Sequence, residues 1–212
     1  MVSFATFSAH TLQFTKSRML NVNSVDNPVE QPCLDVDPEV DTLIDLFNQT
    51  FYPRFNTKLT RGKFEPIYLP ADDTTPHCRI VFAHGFFSSA LHEIAHWCIA
   101  GAKRRELEDY GYWYCPDGRN SEQQHAFEQA EVKPQAIEWA FTLASGRKFS
   151  VSTDNLNGAE PDRKGFTLAV EKQLLTYIGT SFPPRAAMFI EVLQQHFRTS
   201  QLCSRTIYRE AI

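Results

Sequence analysis

The sequence predicts an α+β fold, mostly helical, with a metal-binding helix of the zincin type set against a small β-sheet. Three observations predict it. Long stretches carry apolar residues at helical spacing, while short apolar runs near Ile67 and Ile80 are bounded by proline, glycine and polar loops. The run at Ile80 then leads into His92-Glu93-Ile94-Ala95-His96, an H-E-x-x-H pattern inside an apolar helix.

Composition bounds the rest. A chain of 212 residues with 42% hydrophobic and 22% charged residues suits one globular domain with a sizeable core. A net charge of −4 gives no basic footprint for nucleic acid or a membrane surface, and no apolar run reaches transmembrane length. Five scattered cysteines (Cys33, Cys78, Cys98, Cys115 and Cys203) lack C-x-x-C spacing. They read as reduced thiols of a cytoplasmic protein, with Cys98 a small buried side chain.

Residues 1–36 differ from the remainder. Met1 to Val25 hold no acid, only Lys16 and Arg18 as full charges, and no signal-peptide apolar core; Asn27-Pro28 and Gln31-Pro32 then punctuate a linker. A poorly ordered N-terminal extension is expected there, leaving 37–212 as a single metal-dependent domain.

Asp37 and Pro38 predict a helix start, with Asp37 as cap and Pro38 at the first helical position. Val40, Leu43, Ile44, Phe47 and Phe51 form its apolar face, and Tyr52-Pro53 predicts its end. Residues 56–61 read as a strand closed by Arg61-Gly62-Lys63, Ile67 to Leu69 as an extended segment between prolines, and Ala71 to His77 as a polar loop. Ile80 to Phe82 read as a buried strand, Gly85 as a turn, Ser88 or Ser89 as the N-cap of the motif helix and Gly101 as its C-cap. Lys103-Arg104-Arg105 reads as a solvated face or a docking point for an acidic partner. The aromatic run Tyr110 to Tyr114 reads as core or as a substrate wall.

A second long helix is expected from Ser121 to Ser145, with a Ser121/Gln124 capping box, a kink or junction at Pro134 and a stop at Gly146. Val151 to Asn157 read as a loop with a brief strand at its start. Arg163 to Ile178 form a third helix. A fourth follows Pro183-Pro184, with Ala187, Phe189, Ile190, Leu193 and Phe197 inward and His196 at the surface.

Two histidines four residues apart project from one helix face, so His92 and His96 can reach one ion, with Glu93 angled to the same cavity. The pattern arises by chance in many chains. Here Leu91, Ile94, Trp97 and Ile99 surround it, and an apolar helix has little reason to carry three polar side chains inward without a partner for them. A third donor is expected downstream, among Glu106, Glu108, Asp109, Asp117, His125, Glu128 and Glu131. Acids directly after the motif helix require a sharp reversal, so a carboxylate on the next long helix is easier. Glu131, near Phe127, Ala130 and Ile137, and Glu128, in line with Val132, Ala136 and Trp139, are not separated by periodicity. His84, eight residues before His92, reads as a loop histidine or as one that supports a ligand, not as a ligand itself. With Zn²⁺ such a triad gives a peptidase using Glu93 as general base; with Fe(II) it gives an oxygenase. The motif alone favours the zinc hydrolase.

Longer blocks change that balance. Glu65-Pro-Ile-Tyr-Leu-Pro-Ala71, Arg79-Ile-Val-Phe-Ala-His-Gly-Phe86, the helix His92 to Gly101, Gly111 to Arg119, Glu131-Val-Lys-Pro-Gln-Ala136, Asp154-Asn-Leu156 and Glu160-Pro-Asp-Arg163 resemble the bacterial elongation factor P hydroxylase family. The resemblance spans about residues 38–200. It implies a non-haem iron monooxygenase that uses Fe(II) and O₂, with Zn as the alternative metal. The implied substrate is elongation factor P, on the lysine that already bears a β-lysyl group. His92, His96 and Glu131 are the implied metal ligands, Glu131 because it opens its block. On that mechanism Glu93 is expected to organise water or protons at the metal, and the position of Tyr112 to Tyr114 directly after the motif helix makes them the expected lining of a lysine channel. The resemblance gives neither a dioxygenase jelly roll nor a 2-oxoglutarate arginine pattern, so the electron source stays open.

Overall fold

Asp37 closes the first turn of the described chain before any helix begins. Its Oδ1 accepts from the Glu39 N–H at 3.0 Å, and its carbonyl accepts from the Val40 N–H at 3.1 Å. Helix α1 therefore runs Val40–Phe55, two residues later than Asp37-Pro38 predicts. It also passes through Pro53 instead of ending there. A proline in the last turn forfeits one hydrogen bond only, and Phe55 gains an edge contact with Trp97 at 5.6 Å. Asn56, in the left-handed region at φ 47°, ends the helix.

The computed structural model describes residues 37–109, 117–153 and 155–204. The N-terminal extension, the aromatic segment Tyr112 to Tyr114, Cys33 and Cys115 lie outside them. Strands β1 (Thr57–Arg61), β2 (Ile67–Leu69) and β3 (Cys78–Phe82) form a mixed sheet of order β1-β3-β2. β3 pairs parallel with β1 (Leu59 opposite Ile80) and antiparallel with β2 (Tyr68 opposite Ile80). After β1, Gly62 is required by space: a Cβ there would sit 2.5 Å from Val81 Cγ1.

Helix α2 (Phe87–Ile99) carries the motif. Its N-cap is Phe86, with no side-chain cap, so the expected Ser88 or Ser89 cap is not used. His84 and Gly85, at φ 59° and 72°, turn the chain so tightly that the helix starts as soon as β3 has ended. At the other end Ala100, not Gly101, is the C-cap. Arg185 supplies the missing donors, its Nη2 bonding the carbonyls of Trp97, Cys98 and Ala100 at 2.7, 3.1 and 2.6 Å. A side-chain cation at the end of a helix satisfies both orphan carbonyls and the helix dipole. The basic triplet is only partly solvated: Lys103 is exposed, while Arg104 is half-buried and pairs with Asp109.

Helix α3 (Ser121–Ala144) begins with a capping box one residue earlier than predicted, between Asn120 and Gln123. Gln124 is instead buried, where it accepts from Arg119 Nε at 2.9 Å. Pro134 lies inside α3, which continues as one element. Gly146, at φ 70°, follows the end. Val151–Thr153 form no strand. α4 (Arg163–Gly179) is capped by Asp162, and α5 (Pro184–Phe197) buries Ala186, not Ala187, beside Phe189, Ile190 and Leu193. The core joins α1, α2, α3 and α5 through Phe47, Phe51, Trp97, Phe141 and Phe189. Phe51 lies 4.9 Å from both Phe47 and Trp97. This cluster fixes the rotation of α2 about its axis, and hence where its polar face points.

Candidate metal centre

That polar face meets α3. His92 and His96 stand one turn apart on α2, their Nε2 atoms 3.0 Å from each other. Glu131 comes from the facing turn of α3: its Oε1 is 3.3 Å from His96 Nε2 and its Oε2 is 3.6 Å from His92 Nε2. The three donor atoms all lie within 4.8 Å of one another. Among the described residues no other such group of His, Cys, Asp or Glu occurs. Glu131 is 2% exposed, and its Oε2 is buried without a hydrogen-bond partner. A buried carboxylate oxygen left so is costly unless a cation lies against it. Two imidazoles and one carboxylate form a borderline donor set suited to Zn²⁺ or Fe(II). The residues fit a divalent metal.

The other candidates are not brought in. Glu128, one turn before Glu131, turns to Gln124, whose Nε2 donates to it at 2.9 Å. His125 is exposed and bonded to Gln129. Glu106 and Glu108 are exposed, Asp109 pairs with Arg104, and Asp117 holds Asn157 through a 2.6 Å bond. His84 lies in the exposed loop before α2, as expected.

Sequence reading missed Glu138. Its Oε2 lies 2.8 Å from His92 Nδ1, which assigns the proton to Nδ1 and leaves Nε2 facing Glu131 and His96. The missed signal is a stripe: Glu131, Gln135 and Glu138 are spaced by four and three residues on one helix face, among Phe127, Ile137 and Phe141, and all are buried. Gln135 ties this stripe to the loop after α3, bonding both Ser152 N and Ser152 O. Glu138→Gln keeps the shape but loses the charge that orients His92. Metal affinity is expected to fall about 10- to 100-fold with little change in thermal stability. Titration with a competing chelator would show it, and unchanged affinity would assign Glu138 to packing alone.

The electrostatics follow from crowding. Burial opposes charge on His92, but the attraction of Glu138, Glu131 and Glu93 outweighs it and pushes the pKa up to about 10. Burial likewise opposes charge on Glu131, yet His96 and His92 bring it down to about 2. Burial pushes Glu93 upward; His92 and His96 work against that, and Glu131 and Glu138 reinforce it. Glu93 also lines a cavity of about 30 Å³ with His96, Tyr68, Trp97 and Arg105, room for one or two water molecules.

These shifts give the metal-free protein a definite pH response. Because the folded pKa of His92 is raised, its contribution to stability is complete below the ordinary value of 6.5 and is lost as pH climbs through about 10. The same proton competes with a metal. Affinity for a divalent ion is therefore expected to rise about tenfold per pH unit from neutrality upward, with one proton released per ion bound. Calorimetry in buffers of different ionisation enthalpy measures that release; a flat pH dependence contradicts it.

No helix among the described residues is long and apolar enough to cross a membrane. Residues 46–207 match the family described as Elongation factor P hydroxylase. Elongation factor P lysine hydroxylase of Haemophilus influenzae is 49% identical over 161 residues, which cover 76% of this chain and 90% of that relative. With the match spanning the motif helix, Glu131 and the aromatic core alike, the chain belongs to the elongation factor P hydroxylase family.

Proposed function

We propose that this enzyme hydroxylates elongation factor P in the cytoplasm, on the lysine already carrying a β-lysyl group. Its metal is Fe(II), its co-substrate O₂, and its metal ligands are His92, His96 and Glu131. The observation that carries the reading is the meeting of these three donors around the buried, unpartnered Glu131 Oε2, in a chain of a hydroxylase family. With iron bound, such a centre supplies the activation of dioxygen that attack on a saturated C–H bond requires. The chain's own groups do the rest. Glu138 keeps the proton on His92 Nδ1, so Nε2 is free to ligate. Gln135 steadies Glu131 while gripping the Ser152 backbone. Glu93, whose carboxyl burial pushes upward from the usual carboxylate range, lines the small cavity beside His96 and organises water or protons there. That role differs from a hydrolytic base, which must be ionised to act.

The test is intact-mass analysis of elongation factor P co-expressed with wild type or with His96→Ala. One added oxygen atom with wild type alone is expected. Full zinc occupancy with peptide cleavage that depends on Glu93 would instead make the protein a peptidase.

A further inference from the structure

Arg185 stands where electrostatics disfavours a cation. It lies in the first turn of α5, just after Pro183 and Pro184, where the dipole of its own helix repels positive charge. It is half-buried, and burial together with the neighbouring Arg105 draws its pKa below the ordinary arginine value. Its Nε is buried without a hydrogen-bond partner, and no carboxylate among the described residues pairs with it. A cation kept under those conditions needs another source of attraction. The end of the motif helix supplies it.

Arg185 holds α2 in two ways. Along the axis, Ala100 leaves the helix in extended conformation, at φ −61° and ψ 124°, so no left-handed residue folds back to close the last turn. The Ala100 N–H closes only the His96 carbonyl, at 3.1 Å. Arg185 Nη2 meets the carbonyls of Trp97, Cys98 and Ala100. One nitrogen faces three carbonyls, so its charge matters more than the fork of the guanidinium. Around the axis, the guanidinium carbon lies 4.7 Å from the centroid of the Trp97 ring, which Phe51 and Phe55 also meet at 4.9 and 5.6 Å. Trp97 is the residue after His96 in the same last turn, so holding its ring holds the direction in which His96 projects.

We propose that Arg185 is a positioning residue of the metal centre: by clamping the last turn of α2 through its carbonyls and the Trp97 ring, it aims His96 at Glu131. The inference rests on the proposed ligation by His96. It adds how the second histidine of the motif is kept in place, by a residue of α5 far along the chain. His92, one turn earlier, is oriented by Glu138, and His96 takes its orientation from the helix end. Donor positions in a metal site tolerate errors of only a few tenths of an ångström, and a frayed last turn moves an imidazole further than that.

The experiment measures Co(II) binding to the full chain by chelator competition and by visible absorption, which reports donor geometry. Arg185→Met keeps a stem beside Trp97 and removes the charge. It is expected to weaken Co(II) binding about tenfold and to change the spectrum. Arg185→Lys, which returns a charge with three donors, should recover most of that loss. Free guanidinium added to Arg185→Ala should do the same. Leu174→Ala, a buried change in α4 outside the Trp97 ring cluster, is the control: Tm is expected to fall at least as far, with Co(II) affinity within about twofold of wild type. Wild-type affinity and spectrum in Arg185→Met would overturn the assignment. So would an equal loss of affinity in Leu174→Ala, since metal binding would then follow global stability alone. Recovery by neither lysine nor guanidinium would reduce Arg185 to packing. If Arg185→Ala does not fold, the methionine and lysine variants decide between these outcomes. His96→Ala keeps the two readings apart. Wild-type affinity in that variant would sink the ligand set itself, whereas weak binding there beside an unaffected Arg185→Met would sink the positioning role only.

Discussion

Glu131→Gln is expected to lower oxygen incorporation into elongation factor P at least about a hundredfold, while Glu128→Gln leaves it near wild type. Losing an outer partner of a metal ligand already costs up to about a hundredfold, and under the proposed assignment Glu131 is a ligand itself. The amide is isosteric, so the buried site keeps its shape and the change isolates the charge. A second signature accompanies it. The folded pKa of Glu131 is depressed to about 2, so its contribution to the metal-free protein is present above the ordinary value of 4.5 and is lost as pH falls towards 2. Glu131→Gln removes that dependence, and the acid limb of the stability curve should flatten. Metal content, product mass and acid unfolding of the two variants check all three outcomes. Activity retained in Glu131→Gln and lost in Glu128→Gln would reverse the assignment.

The largest effect on stability is expected from Phe51→Ala. Phe51 is fully buried, and its ring meets Phe47, Phe55, Trp97 and Phe189 at centroid distances of 4.9 to 5.9 Å. Truncating a buried phenylalanine costs about 3–5 kcal/mol, because transfer energy and the unfilled cavity add. For a chain of this size that lowers Tm by roughly 10 °C. The loss also reaches the metal site, since Trp97 lies one residue after His96 and Phe51 sets its position. Metal affinity should fall together with Tm. A variant with wild-type Tm would show that the cluster repacks freely, contrary to the close packing of protein interiors.

Much of this was legible in advance because it depends on local rules. The strand at Ile80, the turn at Gly85, the motif helix, the stop at Gly146 and the Pro183-Pro184 helix start all rest on backbone preferences and short-range periodicity. The errors are also local. The start at Pro38, the end at Pro53, the Ser88 or Ser89 cap and the Ser121/Gln124 box each erred by one to three residues. In three of them a tertiary partner outweighed the cap signal: Arg147 grips Asp37 at 2.9 Å, Trp97 receives Phe55, and Arg119 takes Gln124; the Ser88 or Ser89 cap is passed over because the tight turn at His84 and Gly85 starts the helix earlier.

By itself the sequence determined the donors' chemistry and the face from which two of them project, since a spacing of four residues is one helical turn wherever the helix lies. It also carried, in its longer blocks, the family to which the chain belongs. Only the tertiary structure brought Glu131, and not Glu128, to the two histidines and revealed Glu138 behind His92. Those outcomes depend on how α3 is rotated against α2 and where the loop after it is pinned. Rotation of one packed helix on another is set by side chains far apart in the chain, which no local pattern records.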